Sequence, residues 1–118
     1  MGIDEVLSVM KKCFGDIPCK NGGFISLPKQ HHHTFAVWRI SHRRADGADG
    51  YNLYWDVTYE LRIFYRDTKT ELDWQRERMF EDGIRECNGL ESDYEYDDSD
   101  KLEITVYKFN DTIEIQEV

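Results

Sequence analysis

The sequence has little proline, little cysteine, too few positive charges to balance its acids, and no long hydrophobic run. Its 118 residues include two prolines and three cysteines. No apolar stretch approaches the roughly 18–20 residues of a membrane-spanning helix. Cys13, Cys19 and Cys87 are odd in number, and two of them fall at helix-like apolar positions, so they read as reduced thiols and not as a disulfide framework. Lys and Arg total 15 against 24 Asp and Glu, a net charge of −9. Such a chain is a poor candidate for gripping nucleic acid through its phosphates. The opening MGIDEVLSVMKK has neither a basic leader nor an unbroken apolar stretch, so a secretory signal is not expected there. Val6 occupies the place where a myristoylation signal has Ser or Thr.

What is present is enough to fold. Hydrophobic residues make up 40% and aromatics 14%, too much for a disordered tail. The length suits one domain over residues 1–118, and no linker or internal repeat divides it. Charge is uneven along it. Residues 1–70 carry a net +2 and residues 71–118 a net −11. Within the acidic part, Glu91, Asp93, Glu95, Asp97, Asp98 and Asp100 fall in ten residues that contain no base.

Ile3, Val6, Leu7, Met10, Cys13 and Phe14 recur at steps of three and four, which predicts an amphipathic helix. Residues 15–33 read as loop, with a short extended piece at 24–27. Thr34–His42 reads as a strand, 43–50 as a turn, and Tyr51–Arg66 as a long strand with alternating apolar residues. At about 3.3 Å per residue that strand reaches on the order of 50 Å, so it must bend or project, giving a hairpin around 40–55. Thr68 or Thr70 caps a second helix, whose expected inner stripe is Leu72, Arg76, Met79, Phe80, Gly83, Ile84 and Cys87, ending at Asn88–Gly89. A strand over 90–98 and a long strand over 102–115 follow. In the latter the apolar parity shifts after Val106, which predicts a bulge near 108–111. The expected core is Val6, Leu7, Met10, Val57, Leu61, Ile63, Met79, Phe80, Ile84, Ile104 and Val106. The fold class is α+β: a mostly antiparallel sheet of two hairpins, with two amphipathic helices on one face.

Motifs for catalysis are weak. His31, His32 and His33 are adjacent, so they cannot all face one ion from an extended chain, and Cys13 and Cys19 lack zinc-ligand spacing. The acidic run lacks the central Gly and terminal Glu of a calcium-hand loop and reads as an acidic strand face and turn. No spacing ties Cys87 to a histidine base, and no Gly-rich phosphate loop is present. No enzyme, cofactor or metal is expected. The candidate surface is instead the hairpin: Arg43 and Arg44 at its tip, with Tyr51, Tyr54 and Trp55 opening the long strand. A chain this small cannot cover the far end of so long a ribbon, so those aromatics are candidate subunit-interface residues.

The ordered set of pieces resembles a known family. A short amphipathic N-terminal helix is followed by TFAVWRIS, then by the turn ADGADGY. The segment YELRIFYRDTKTELDWQRERMFEDGI runs from a strand through a Tyr-Arg-Asp-x-Lys turn into a charged helix. An acidic tyrosine-containing strand and SDKLEITVYKF complete the set. Over residues 3–109 this is similar to small tail-terminator (tail-to-head joining) proteins of long-tailed phages and prophages of Gram-positive bacteria. The resemblance implies a non-enzymatic virion protein of the tail or neck, assembled in the host cytoplasm. It implies a homo-oligomeric ring, commonly a hexamer, that caps the tail tube protein and docks to a head completion or connector protein. DNA would pass through without specific binding, and no membrane is involved. The alternative reading is a small acidic intracellular binding or inhibitor module acting as a monomer.

Overall fold

The computed structural model describes residues 1–22, 32–45 and 52–116; at 42–45, 52–54 and 113–116 it describes the backbone. The chain runs α1 (Ile3–Phe14), β1 (Cys19–Asn21), β2 (Thr34–Ala45), β3 (Asn52–Arg66), α2 (Glu71–Gly83), β4 (Asn88–Asp97) and β5 (Leu102–Gln116). The five strands form one sheet in the order β1-β2-β3-β5-β4. Every pairing is antiparallel except β1 with β2, which is parallel. The class is α+β, as the sequence patterns predict. The expected piece at 24–27 and residues 46–51 of the hairpin lie outside the described residues. The contact of Cys19–Asn21 with Ala36–Trp38 is an addition that the loop sequence did not announce.

The helix α1 buries Val6, Met10, Cys13 and Phe14, while Asp4 and Glu5 begin it and Lys11 and Lys12 end it, as the helix dipole favours. The alternation in β3 is also realised: Val57, Tyr59, Leu61, Ile63 and Tyr65 are all buried. They meet α1, Phe80, Ile84, Tyr107 and Phe109 in the main core. Phe80 anchors it, with its ring centroid 5.7 Å from Phe14, 5.3 Å from Tyr107 and 5.8 Å from Phe109.

Three expectations are corrected. The inner stripe of α2 is not Leu72, Arg76 and Met79, since Leu72 and Met79 are about half exposed. It is Asp73, Glu77 and Phe80, so the helix is rotated to turn two carboxylates inward. The helix also stops at Gly83, a turn before Asn88–Gly89. Finally, β5 carries no bulge against β3; the register is unbroken from Asn52↔Gln116 to Arg66↔Leu102. Its change of apolar parity arises because both faces are buried. Thr105, Tyr107 and Phe109 face the helices, whereas Leu102, Ile104 and Val106 form a second cluster with Phe35 on the other side. Phe64 packs on that cluster, its ring stacked 5.0 Å from Phe35. Ile104 and Val106 are thus buried as expected, but away from the helices. The one irregularity of register lies between Asn88 and Glu91 of β4.

Candidate functional site

The hairpin arm is built by continuous pairing. In β2 and β3, Arg43 stands opposite Asp56, Arg44 opposite Trp55 and Ala45 opposite Tyr54, so residues 43–45 continue the strand and Arg43 and Arg44 do not sit in the turn expected from residue 43 onward. On the other side of β3, Tyr54 pairs with Glu114 and Trp55 with Ile113 of β5. Tyr51 lies outside the described residues. Trp55 is half-buried and packs against the main core, so its ring is shared between the arm and the body of the domain. Asp56 accepts a hydrogen bond from the Thr112 hydroxyl at 3.1 Å, tying β3 to β5 on the opposite face.

The acidic run divides by position. Glu91, Asp93 and Glu95 are exposed on the face of β4 away from the helices. There Glu95 accepts from Arg62 at 3.1 Å, and Arg62 also donates to Glu60 at 2.7 Å. Asp97 accepts from the backbone N–H groups of Ser99 and Asp100, at 2.9 and 3.2 Å, and so closes the β4–β5 turn. Asp98 and Asp100 are exposed in that turn.

Sequence reasoning missed a buried polar cluster under α2. Glu77 is 5% exposed. It accepts hydrogen bonds from the hydroxyls of Tyr65, Tyr107 (3.1 Å) and Thr105 (3.3 Å), and from the Lys69 ammonium. The Lys69 Nζ lies 4.2 Å from the Trp74 ring centroid, 5.2 Å from Tyr65 and 5.4 Å from Tyr94. Ring faces attract a cation, so the amine is held by three aromatics and one carboxylate. A shallow groove of about 370 Å³ opens above it between α2 and β4, lined by Trp74, Glu81, Ser92, Asp93 and Tyr94. A general base needs a lone pair aimed at a substrate; Glu77 spends its acceptor capacity on four internal donors. Burial first, then the hydrogen bond to Glu77, pushes the Tyr65 hydroxyl far above its ordinary pKa. Burial and the Glu77 charge do the same to Tyr107. The signal in the sequence is the inward parity of Tyr65 and Tyr107, whose hydroxyls need an acceptor, together with carboxylates four apart at 73 and 77.

A second cluster caps the same helix. Asp73 accepts from the Thr70 backbone at 2.8 Å, and the Thr70 hydroxyl in turn accepts from the Asp73 backbone at 3.3 Å. This capping box uses Thr70, not Thr68. His33 reaches the same carboxylate at 2.9 Å. Burial alone would raise the Asp73 pKa, but the Thr70 and His33 hydrogen bonds together outweigh it and hold the group below its ordinary value. His33 therefore serves the helix cap, and His31 lies outside the described residues. Burial raises the pKa of all three thiols, with Asp111 adding to the effect at Cys87, so each disfavours its thiolate. Among the described residues, no group of three or more His, Cys, Asp or Glu side chains could hold a metal. No described helix is long and apolar enough to cross a membrane.

The outer surface of α2 and β4 is unusually apolar for so charged a chain. Trp74, Tyr94 and Tyr96 are each more than half exposed. The chain matches no protein-family model and no curated protein.

Proposed function

We propose that this chain is a ring-forming structural subunit of a phage tail or neck, of the tail-terminator kind. The observation that carries this reading is the arm. The strands β3 and β5 each have 15 residues, about 50 Å at full extension, in a domain measuring 52 × 28 × 22 Å. The helices have 12 and 13 residues, so each is only about 18–20 Å long and cannot shelter strands of that length. A ribbon longer than its own helical cover needs neighbours. The resemblance of residues 3–109 to tail-terminator proteins supplies the context, and the acidic character supplies compatibility. An acidic ring repels DNA phosphates, so a genome slides through its channel without sticking. The partners in this reading are further copies of the chain, a tail tube protein and a head completion or connector protein. The location is the virion.

The test is mass under native conditions, alone and with purified tail-tube protein. A closed ring, with six copies of the 14.1 kDa chain as the expected number, bound to the end of the tube supports the proposal. A chain that remains monomeric in both conditions overturns it.

A further inference from the structure

Among the described residues the sheet has two open edges, and they differ in charge. At one side β1 covers β2 along Ala36–Trp38, and the Gly22 carbonyl after it accepts from the Arg39 guanidinium at 3.1 and 3.3 Å, a neutral partner that does not cancel the charge; among the described residues no strand pairs with Arg39–Ala45 on that side. This stretch contains Arg39, His42, Arg43 and Arg44 and no acid. At the other side, among the described residues, β4 pairs with β5 alone and leaves its ten residues as an open edge. Its residues include Glu91, Asp93, Glu95 and Asp97 and no base. An exposed edge of this length is a template for another strand. Two copies of β4 would set acid against acid, so β4 discourages pairing with itself.

We propose that β4 of one copy pairs with the Arg39–Ala45 stretch of β2 in the next copy, so that one sheet runs continuously around the ring. This deepens the ring reading above by naming its interface. Strand direction agrees. β2, β3, β5 and β4 alternate in direction, so a neighbour rotated about an axis along the strands brings its β2 antiparallel to β4.

Parity agrees on both faces. In β2, Ala36, Trp38 and Ile40 face the helices, which puts positions 42 and 44 on that side and positions 39, 41 and 43 on the other. In β4, Tyr94 sits on the helix side beside Lys69, and Glu91, Asp93, Glu95 and Asp97 share the other side. A continuous sheet therefore sets positions 39 and 43 on the face that carries the acids. It also sets positions 40, 42 and 44 on the face that carries the exposed rings of Tyr94 and Tyr96. A slip by one residue would break both matches.

The offset also fits a closed sheet. Through β5 and β3, Tyr94 stands level with Ala36, about six residues below the middle of the open β2 stretch. A step of roughly 20 Å along the strands, over four strands about 4.8 Å apart, needs a tilt of about 45°, at the upper end of the range found in closed sheets.

Charge reversal tests this pairing. One variant carries Glu91→Lys with Asp93→Lys, and the other Arg39→Glu with Arg43→Glu. Each alone should be a monomer with the wild-type far-UV spectrum. Mixed one to one, they should re-form rings, because each then offers the edge the other lacks. Arg39→Lys with Arg43→Lys should still assemble. Wild-type rings should dissociate more readily as salt rises. If either reversed variant assembles like wild type, if the mixture stays monomeric, or if wild-type rings ignore salt, the edge pairing is overturned while the ring stands. A wild-type chain that never associates overturns both readings. Rings that behave as described yet ignore tail-tube protein support the pairing and overturn the tail role.

Discussion

The Lys69 ammonium lies 2.8 Å from the Glu77 carboxylate, and their side chains are only 4% and 7% exposed. Both charges have left water, so each depends on the other and on the groups around them. Removing one partner leaves the other buried and uncompensated, at a cost of about 3–5 kcal/mol. Glu77→Leu should be the worse of the two single changes. It strands the amine and also removes the acceptor shared by Tyr65, Tyr107 and Thr105. Lys69→Met leaves the carboxylate three hydroxyl donors. Urea denaturation of both variants and the double variant measures this, with the double costing less than the two singles together.

Tyr59 provides the contrast. Its ring is buried and stacked 4.9 Å from Phe109, but its hydroxyl finds no hydrogen-bond partner among the described residues. An unsatisfied buried polar group costs about 1–3 kcal/mol. Tyr59→Phe should therefore raise the denaturation midpoint. Tyr107→Phe should lower it, because that hydroxyl donates within a network shared with Glu77 and Glu81.

The same tyrosines should make the fold sensitive to alkali. Burial pushes Tyr59 up to about 12, and Tyr65 and Tyr107 are also raised, so all three stay protonated in the folded chain when ordinary tyrosines begin to ionise. Below pH about 10 the folded and unfolded chains bind these protons equally. Above it the unfolded chain releases them and the folded chain does not, so stability falls as pH rises. Tyrosinate absorbance followed against pH should show a late fraction that appears together with loss of the far-UV signal.

The parts of the fold legible in the sequence are those governed by one apolar face. The helix α1 and the strand β3 each bury a single periodic set, and hydrophobicity alone identifies it. The inner face of α2 is different. Asp73 and Glu77 belong inside only because His33, Tyr65, Tyr107 and Lys69 arrive from elsewhere in the fold to satisfy them. Hydrophobic periodicity rejects such positions and prefers Leu72 and Met79. In β5, burial on both faces erases the alternation that marks a half-exposed strand, so its apolar pattern mimics a slip of parity. The polar cluster needed tertiary contact to be seen, whereas the acidic strand and the basic arm were visible as composition.

The rotated face of α2 gives a direct comparison of two neighbouring residues. Phe80 is fully buried against three aromatic rings, so Phe80→Ala should cost about 3–5 kcal/mol through lost burial and a cavity. Met79 is about half exposed, so Met79→Ala should change stability by no more than about 0.5 kcal/mol. Equal losses at both sites, measured by urea denaturation, would place the helix in the orientation first expected.

Gly83 ends α2 where it meets α1. A Cβ added there would lie 2.6 Å from Cγ1 of Val9 and 3.3 Å from its Cγ2. The first distance is well inside contact, and Val9 is β-branched, with little freedom to turn a methyl aside within a helix. Its backbone is not in the left-handed region, so an alanine suffers from crowding alone. Gly83→Ala should therefore destabilise the domain by about 1–3 kcal/mol, as overpacking does. Gly83→Ala combined with Val9→Ala removes the crowded methyls and should recover most of that loss. The two changes should be strongly non-additive in a double-mutant cycle. If Gly83→Ala is instead neutral or stabilising, then α1 and α2 do not approach at this point, and the helical layer over the sheet is packed differently.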